Sequence, residues 1–340
     1  MLKIGLIGLG FMGRTHLEIY ERLQKEGLPI QLVAICDSNE ESLNGISSGG
    51  NIEAGISEIN LDRYHKYTSV EHMLAQENLD AVDITLPTFL HKDITVSCLN
   101  HGLHVLCEKP MALNEMECKE MISAAEAAQK QLMIGQCLRF WPAYVYLKEM
   151  VESKTYGEAI SAYFFRGGGT PNWSAWLTQN EKSRGAMVDM HVHDTDMIHW
   201  LFGKPEQVSS QARHVIAGSG YDVVSTHYQY TDGKVINAQA DWTLQGDYGF
   251  DMNYRVNFER GNIIFQNGIV KVNPNEEKGF VPELSEKIGY YFQLKYFVDA
   301  LIDNKQIAQV TPESAMGSMQ IIEAEIQSAN QQGKWVEVKD

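Results

Sequence analysis

The chain opens with the stretch Met1-Leu-Lys-Ile-Gly-Leu-Ile-Gly8-Leu-Gly10-Phe-Met-Gly13, in which a short apolar run ends in closely spaced glycines. The run predicts a strand over 2–7, followed by a helix from 12 to 25 and a second strand over 31–36. In this context the spacing G-x-G-x-x-G predicts a dinucleotide site. Gly8 allows the tight turn, Gly10 lets the backbone approach a pyrophosphate, and Gly13 lets the helix pack closely on the strand. Without the flanking strand and helix, the same glycines would indicate only a turn.

The acidic residue Asp37 ends the second strand, 24 positions after Gly13 (37 minus 13). A carboxylate at this place accepts hydrogen bonds from the adenosine ribose, and it would repel a 2′-phosphate. Ser38 and Asn39 follow, and no arginine stands beside Asp37 in the sequence. We therefore predict NAD as the cofactor, preferred over NADP. The alternative is that Asp37 only caps the next helix.

Strands and helices continue to alternate in the N-terminal part of the chain. A helix is expected near Ser69, where Thr68 and Glu71 have the S/T-x-x-E spacing of a helix entry, and another opens at Asn114. Alternation of this kind predicts a parallel sheet covered by helices on both faces, which is a doubly wound Rossmann domain over 1–138. The other elements expected there are strands at 81–86, 104–107 and 132–135 and a helix at 92–100.

Beyond Arg139 the pattern changes to runs of adjacent strands. They predict an α+β domain over 139–340, built on a large, mostly antiparallel open sheet, so that the whole chain is of the α/β class. The expected elements are a helix at 187–202, strands at 206–215, 222–230, 234–244, 252–259 and 262–272, and helices at 286–303 and 312–331.

Composition excludes several classes of partner. The formal net charge of -16 would repel phosphate backbones and anionic lipids, so we expect neither nucleic acid nor a membrane as a partner. The five cysteines are odd in number and form no C-x-x-C pair, which is typical of reduced thiols. Met1 leads directly into the first strand without the pattern of a secretory signal, so we expect a cytoplasmic protein.

Three further motifs carry chemistry. Leu86-Pro87-Thr88 with His91 follows one predicted strand, Glu108-Lys109-Pro110 follows another, and Asp189 and His193 lie four apart, on one face of the predicted helix. Histidine titrates near neutral pH and suits a general base, while a lysine ammonium stabilises a developing alkoxide. With the glycine loop, these residues indicate removal of a proton and a hydride from an alcohol. Without a catalytic role, the lysine would be a solvated loop residue and the other two a local helix pair.

The motifs resemble those of the glucose-fructose oxidoreductase, inositol dehydrogenase and MocA (Gfo/Idh/MocA) family, over essentially the whole chain. The resemblance implies that Lys109 hydrogen-bonds the reacting hydroxyl, that Asp189 orients the site and that His193 takes the proton. The expected cofactor contacts are Gly8, Gly10, Phe11, Met12, Gly13, Asp37, Leu86, Pro87, Thr88, His91, Glu108 and Lys109. The expected substrate contacts are Lys109, Arg139, Trp173, Trp176, Asp189, His191 and His193.

Several of these positions have structural alternatives. Arg139 could form a surface salt bridge, Trp173 and Trp176 could pack in the core instead of stacking on a sugar ring, and His191 could cap the helix face. The run from His191 to Asp196 is rich in metal ligands, but on a helix its two histidines point apart, so we predict no metal.

These features predict an NAD-dependent dehydrogenase that oxidises a secondary hydroxyl of a sugar, an inositol or a related polyol. One alternative is a glycoside-cleaving enzyme of the same family that uses NAD transiently. The other is a non-catalytic protein that senses cofactor or sugar. The resemblance also implies a homodimer or homotetramer, because an open sheet with one uncovered face tends to pair with a copy of itself.

Overall fold

The computed structural model describes residues 1–45 and 60–339. The chain forms two compact units, one made of Met1–Gln136 and Tyr290–Met316, the other of Cys137–Gly289 and Gly317–Asp340. The predicted boundary between 1–138 and 139–340 lies two residues from the first boundary between the units, which falls after Gln136. The predicted division differs from the structure in the segment Tyr290–Met316, which groups with the first unit.

The strands, in chain order, are β1 (Leu2–Ile7), β2 (Ile30–Cys36), β3 (His65–Tyr67), β4 (Ala81–Ile84), β5 (His104–Glu108), β6 (Leu132–Gly135), β7 (Ala159–Gly168), β8 (Gln207–Arg213), β9 (Val223–Gln229), β10 (Val235–Asp241), β11 (Phe250–Phe258), β12 (Gly261–Gln266), β13 (Ile269–Pro274) and β14 (Val336–Glu337). The helices are α1 (Phe11–Lys25), α2 (Glu40–Leu43), α3 (Val70–Gln76), α4 (His91–Asn100), α5 (Glu115–Ala128), α6 (Pro142–Ser153), α7 (Asn180–Ser183), α8 (Ala186–Asp189), α9 (Val192–Phe202), α10 (Gly289–Ile302) and α11 (Pro312–Asn330).

The first unit contains a six-stranded parallel sheet in the order β3-β2-β1-β4-β5-β6. The chain starts in the middle of this sheet and winds outward in both directions, as in a dinucleotide-binding fold. Every residue of β4 and β6 is buried, which is expected for strands covered on both faces. The predicted doubly wound parallel sheet is therefore confirmed.

The helix entries in this unit follow the sequence with one correction. Asn114 caps α5, since its side chain accepts a hydrogen bond from the backbone N–H of Glu117. At α3 the capping residue is Ser69, whose hydroxyl accepts from the N–H of His72. Thr68, the predicted cap, lies one residue before the true cap. Glu71, its expected partner, accepts a hydrogen bond from the Ser69 hydroxyl instead.

The second unit contains an eight-stranded sheet in the order β13-β12-β11-β7-β10-β9-β8-β14. All neighbouring pairs are antiparallel except β7 and β10, so the predicted large, mostly antiparallel sheet is confirmed. Helices α6, α9 and α11 lie on one face, where they bond to buried residues of β11, β7 and β8 respectively.

Three elements of this unit differ from the prediction. The central strand β7 lies in a region to which no strand was assigned. The single strand expected over 262–272 is a hairpin, β12 and β13, which turns at Asn267 and Gly268 with positive φ at both. The single helix expected over 187–202 is interrupted after Asp189, and α9 begins at Val192.

All five cysteines are buried thiols. Within residues 1–45 and 60–339, no helix is long and apolar enough to cross a membrane.

Candidate active site

The glycine loop connects β1 to α1 in the first unit. Gly8 has φ of +98°, and a Cβ there would lie 2.7 Å from the carbonyl oxygen of Thr85. A Cβ on Gly13 would lie 2.0 Å from the carbonyl oxygen of Gly8, so any side chain at position 13 would push the helix away from the loop. Thr85, at the end of β4, donates from its hydroxyl to the Gly8 carbonyl at 2.9 Å. These contacts agree with the turn and packing roles predicted for Gly8 and Gly13.

The start of α1 is suited to an anion. Gly10 precedes the helix in an extended conformation, and the first turn carries no acidic side chain. Phe11 and Met12, two predicted cofactor contacts, occupy this turn and are partly exposed. The backbone N–H groups at such a helix start favour the charge of a pyrophosphate, so the residues present fit the dinucleotide that the fingerprint implies.

Asp37 follows β2 and lies against the glycine loop. Its Oδ2 accepts from the backbone N–H of Leu9 at 2.7 Å, and its Oδ1 accepts from the N–H of Asn39 at 2.8 Å. A carboxylate oxygen can accept more than one hydrogen bond, so both keep capacity for a ribose hydroxyl. The sequence places no arginine next to Asp37, but the fold brings Arg14 within its electrostatic reach. Arg14 is buried and donates a hydrogen bond to the carbonyl oxygen of Ser42. Burial lowers the pKa of Arg14, and the negative charge of Asp37 only partly offsets this effect.

His91 joins the loops that follow β4 and β5. Its ring nitrogens lie 2.7 Å from the carbonyl oxygen of Leu86 and 2.8 Å from that of Pro110. The ring is buried, and burial lowers its pKa. The predicted cofactor contact of His91 is therefore corrected to a supporting role, because its ring faces the two loops. Thr88 is also buried, whereas Leu86 and Pro87 remain partly exposed.

Glu108 was predicted to contact the cofactor, but its side chain points into the first unit. Its Oε2 accepts from the backbone N–H of Lys109 at 3.2 Å. Its Oε1 lies 3.4 Å from His16 Nε2 and 3.4 Å from Gln293 Nε2. Burial opposes its ionisation, but His16 and Lys109 lower the pKa of Glu108 below its ordinary value. Glu108 therefore anchors the segment that carries the partly exposed Lys109.

A buried charge network extends from Glu108 to α1 and β4. His16 Nδ1 lies 2.8 Å from Asp83 Oδ2, and the Tyr20 hydroxyl donates to the same oxygen at 3.0 Å. Burial alone would lower the pKa of His16, but the carboxylates of Asp83 and Glu108 raise it to about 10. His16 is therefore an imidazolium ion at neutral pH, held between two carboxylates. The sequence analysis did not identify these residues.

In the second unit, Asp189 ends α8 and His193 lies in the first turn of α9. Between Ala186 and Ile198, these two side chains are the ones that are partly exposed, while the others are buried. They were predicted to share one face of a continuous helix, and that reason is wrong because the helix is interrupted between them. Both side chains are nevertheless partly exposed to solvent, and they lie only four residues apart in the chain.

The residues that follow His193 form interior ion pairs. Asp194 accepts from Arg166 Nε and Nη2 at 3.1 and 3.2 Å. Asp196 accepts from Arg139 Nε and Nη2 at 2.9 and 2.7 Å. Arg139 is 1% exposed, so its predicted contact with substrate is corrected to a buried salt bridge. In the described part of the chain, no group of three or more His, Cys, Asp or Glu side chains could hold a metal ion.

His191 is also interior. It is 0% exposed and lies 3.2 Å from Glu325 on α11 and 3.3 Å from the hydroxyl of Tyr228 on β9. The predicted substrate contact of His191 is corrected accordingly. Trp173 and Trp176 lie between β7 and α7 and are partly exposed, and their role stays a prediction.

The family and the fold of the chain follow from comparison with known proteins. Residues 2–136 match the family described as oxidoreductase family, NAD-binding Rossmann fold, and residues 144–264 match the GFO/IDH/MocA C-terminal domain. An inositol 2-dehydrogenase of Salmonella typhimurium is 26% identical over 268 residues, covering 76% of this chain and 72% of the relative. A scyllo-inositol 2-dehydrogenase (NADP(+)) of Bacillus subtilis is 29% identical over 344 residues, covering 95% of each chain. The fold also matches levoglucosan dehydrogenase in complex with NADH and levoglucosan, with a TM-score of 0.85, 21% identity and full coverage of both chains.

Proposed function

Because the chain belongs to the Gfo/Idh/MocA family of oxidoreductases, we propose that it is an NAD-dependent dehydrogenase that oxidises a secondary hydroxyl of a sugar, an inositol or a related polyol. The main support is that the three candidate catalytic side chains are partly exposed to solvent although most of their neighbours in the chain are buried. Lys109 is partly exposed on an anchored segment of the first unit, and Asp189 and His193 are partly exposed on an otherwise buried segment of the second. The inositol dehydrogenases among the relatives support a polyol as substrate.

In the proposed reaction His193 takes the hydroxyl proton, because a neutral imidazole is a suitable base near pH 7. Lys109 donates a hydrogen bond to the same oxygen and stabilises its developing negative charge. Asp189 orients the site. When bound, the oxidised nicotinamide accepts the hydride from the carbon. We therefore expect oxidation to accelerate as pH rises, until the base is fully deprotonated.

The test is a screen of sugars and inositols for NADH formation, followed by variants on the best substrate. Lys109→Ala and His193→Ala should each lower kcat by about 10²- to 10⁴-fold. His101→Ala is the control, because His101 is exposed after α4 in the first unit and its removal should leave kcat unchanged. Near-normal turnover in both the Lys109 and the His193 variants would refute the proposed roles. Product release without accumulation of NADH would instead favour the glycoside-cleaving alternative.

We also propose that NAD is preferred over NADP. Support comes from Asp37, whose carboxylate beside the glycine loop would repel a 2′-phosphate. The Bacillus relative is named for NADP(+), so the two cofactors must be compared directly. A higher kcat/KM with NADP than with NAD would overturn this assignment.

We propose further that the protein is a cytoplasmic homodimer or homotetramer formed through the sheet face opposite α6, α9 and α11. Tyr163 and Phe165 alternate with buried Phe164 along β7 and remain partly exposed. Light scattering during size-exclusion chromatography measures the mass directly. A monomer at micromolar concentration would refute the assignment.

A further inference from the structure

We propose that His191 is a positioning residue for Asp189 and His193, whose buried imidazole fixes the interruption between α8 and α9. The inference rests on the proposed function, in which those two residues serve the reaction. It assigns to His191 a role that depends on Glu325 and Tyr228, which lie far away in the sequence.

The backbone of His191 ends one helix and begins the next. Its N–H donates to the carbonyl oxygen of Ala186 at 2.8 Å, which closes the last turn of α8. Its own carbonyl oxygen accepts from the N–H groups of Asp194 and Thr195, each at 3.0 Å, which opens α9. His191 lies two residues after Asp189 and two before His193. A rotation of this residue would therefore change the direction of both side chains.

The imidazole of His191 contacts Tyr228 on β9 and Glu325 on α11. Tyr228 and Thr195 both donate to Glu325 Oε1, at 2.8 and 3.1 Å. Because the Tyr228 hydroxyl gives its hydrogen to Glu325, its oxygen is available to accept from His191 Nε2. The other carboxylate oxygen, Glu325 Oε2, lies 3.2 Å from the same nitrogen. These contacts require a proton on Nε2 and tie the interruption to α11 and β9.

The contact is held firmly because its members are buried. His191 and Glu325 are 0% exposed and Tyr228 is 2% exposed. Glu325 Oε1 is satisfied by Tyr228 and Thr195, whereas the buried Oε2 makes no hydrogen bond in the described residues and has the imidazole 3.2 Å away, so burial favours keeping the ring beside it. Asp194 of α9 pairs instead with Arg166. The cluster therefore fixes one orientation of His191.

The experiment compares three variants with the wild type. His191→Leu removes the N–H, and His191→Gln keeps an N–H that can reach Glu325. Thr195→Val is the matched control, because it removes a different hydrogen bond from the same carboxylate and leaves both contacts of the His191 imidazole in place. We would measure kcat, KM for NAD, the thermal midpoint, and the proton resonance of His193 Cε1, identified by its loss in His193→Ala.

His191→Leu should lower kcat by about 10- to 100-fold with KM for NAD unchanged, because a small displacement of a catalytic group has an effect of this size. It should also shift the His193 resonance. His191→Gln should recover kcat to within about fivefold of wild type, and Thr195→Val should lower the thermal midpoint while keeping kcat and the resonance near wild type.

The inference is overturned if His191→Leu keeps wild-type kcat and an unshifted His193 resonance, or if Thr195→Val lowers kcat as much as His191→Leu does. If His191→Leu does not fold, His191→Gln decides, and a folded Gln variant with more than about tenfold lower kcat contradicts the proposal. Full activity of His193→Ala would instead refute the proposed function. An inactive His193→Ala with a normal His191→Leu would refute only this inference.

Discussion

The buried imidazolium of His16 should make the stability of the first unit depend on pH in the neutral range. Its pKa is about 10 in the folded protein against 6.5 for an ordinary histidine. A pKa raised by folding stabilises the folded state fully below pH 6.5, and this contribution is lost as pH rises to about 10. The full contribution is on the order of 5 kcal/mol, of which about 2 kcal/mol disappears between pH 7.0 and 8.5.

The contribution of His16 is the difference in pH dependence between the wild type and a variant without this histidine. Near pH 8.5 cysteine thiols also ionise in the unfolded chain, while burial raises the pKa of Cys36 and Cys98 to about 12 in the folded protein, so both proteins share this second pH dependence. Urea unfolding should be followed by far-UV circular dichroism, because all six tryptophans lie in the second unit. Tryptophan fluorescence then reports that unit separately.

The decisive comparison is between wild type and His16→Gln, which cannot titrate. Between pH 7.0 and 8.5 the wild type should lose about 2 kcal/mol more unfolding free energy than His16→Gln does. His72→Gln is the control, because His72 is exposed in the same unit and its removal should leave the slope unchanged. Equal slopes in wild type and His16→Gln would show that the imidazolium assignment is wrong.

Three other substitutions test the site and its support. Asp37→Ser should reduce the preference for NAD over NADP by about tenfold, measured as the ratio of kcat/KM values, because it removes a charged acceptor of the ribose hydroxyls. Gly13→Ala should weaken NAD binding in calorimetry by about 10- to 100-fold, since its Cβ would lie 2.0 Å from the Gly8 carbonyl; unchanged affinity would contradict the close packing. Arg166→Met should destabilise the second unit by about 3–5 kcal/mol in fluorescence-monitored urea unfolding, because Asp194 is left buried without its cation, and Asp194→Leu in the same chain should recover most of the loss.

The first unit could be predicted closely from sequence because its signals are local. The glycine loop, the apolar strands and the cap at Asn114 each depend on residues a few positions apart. The pairing of His16 with Asp83 spans 67 positions. Nothing in the pattern around either residue distinguishes a buried ion pair from an ordinary helix histidine and an unrelated strand carboxylate.

The second unit was predicted less well where distant contacts decide the local structure. The helix interruption at His191 lies against Glu325, a residue far away in the sequence on α11. The strand β7 did carry a signal, since Ile160-Ser-Ala-Tyr-Phe-Phe165 is rich in residues that favour strands. The hairpin between β12 and β13 also had a recognisable turn in Asn267-Gly268, the dipeptide typical of two-residue hairpin loops.

The chain passes from one unit to the other after Gln136, Gly289 and Met316. This order affects how the protein can fold while it is synthesised on the ribosome. The nascent N-terminal segment has its complete parallel sheet early, yet Gln293, the partner of Glu108, emerges only after more than a hundred and fifty further residues have been translated. A fragment that stops after β6 would therefore expose the surface meant for α10. The segment that carries Lys109 can therefore gain its contact between Glu108 and Gln293 only when the ribosome has nearly finished the polypeptide.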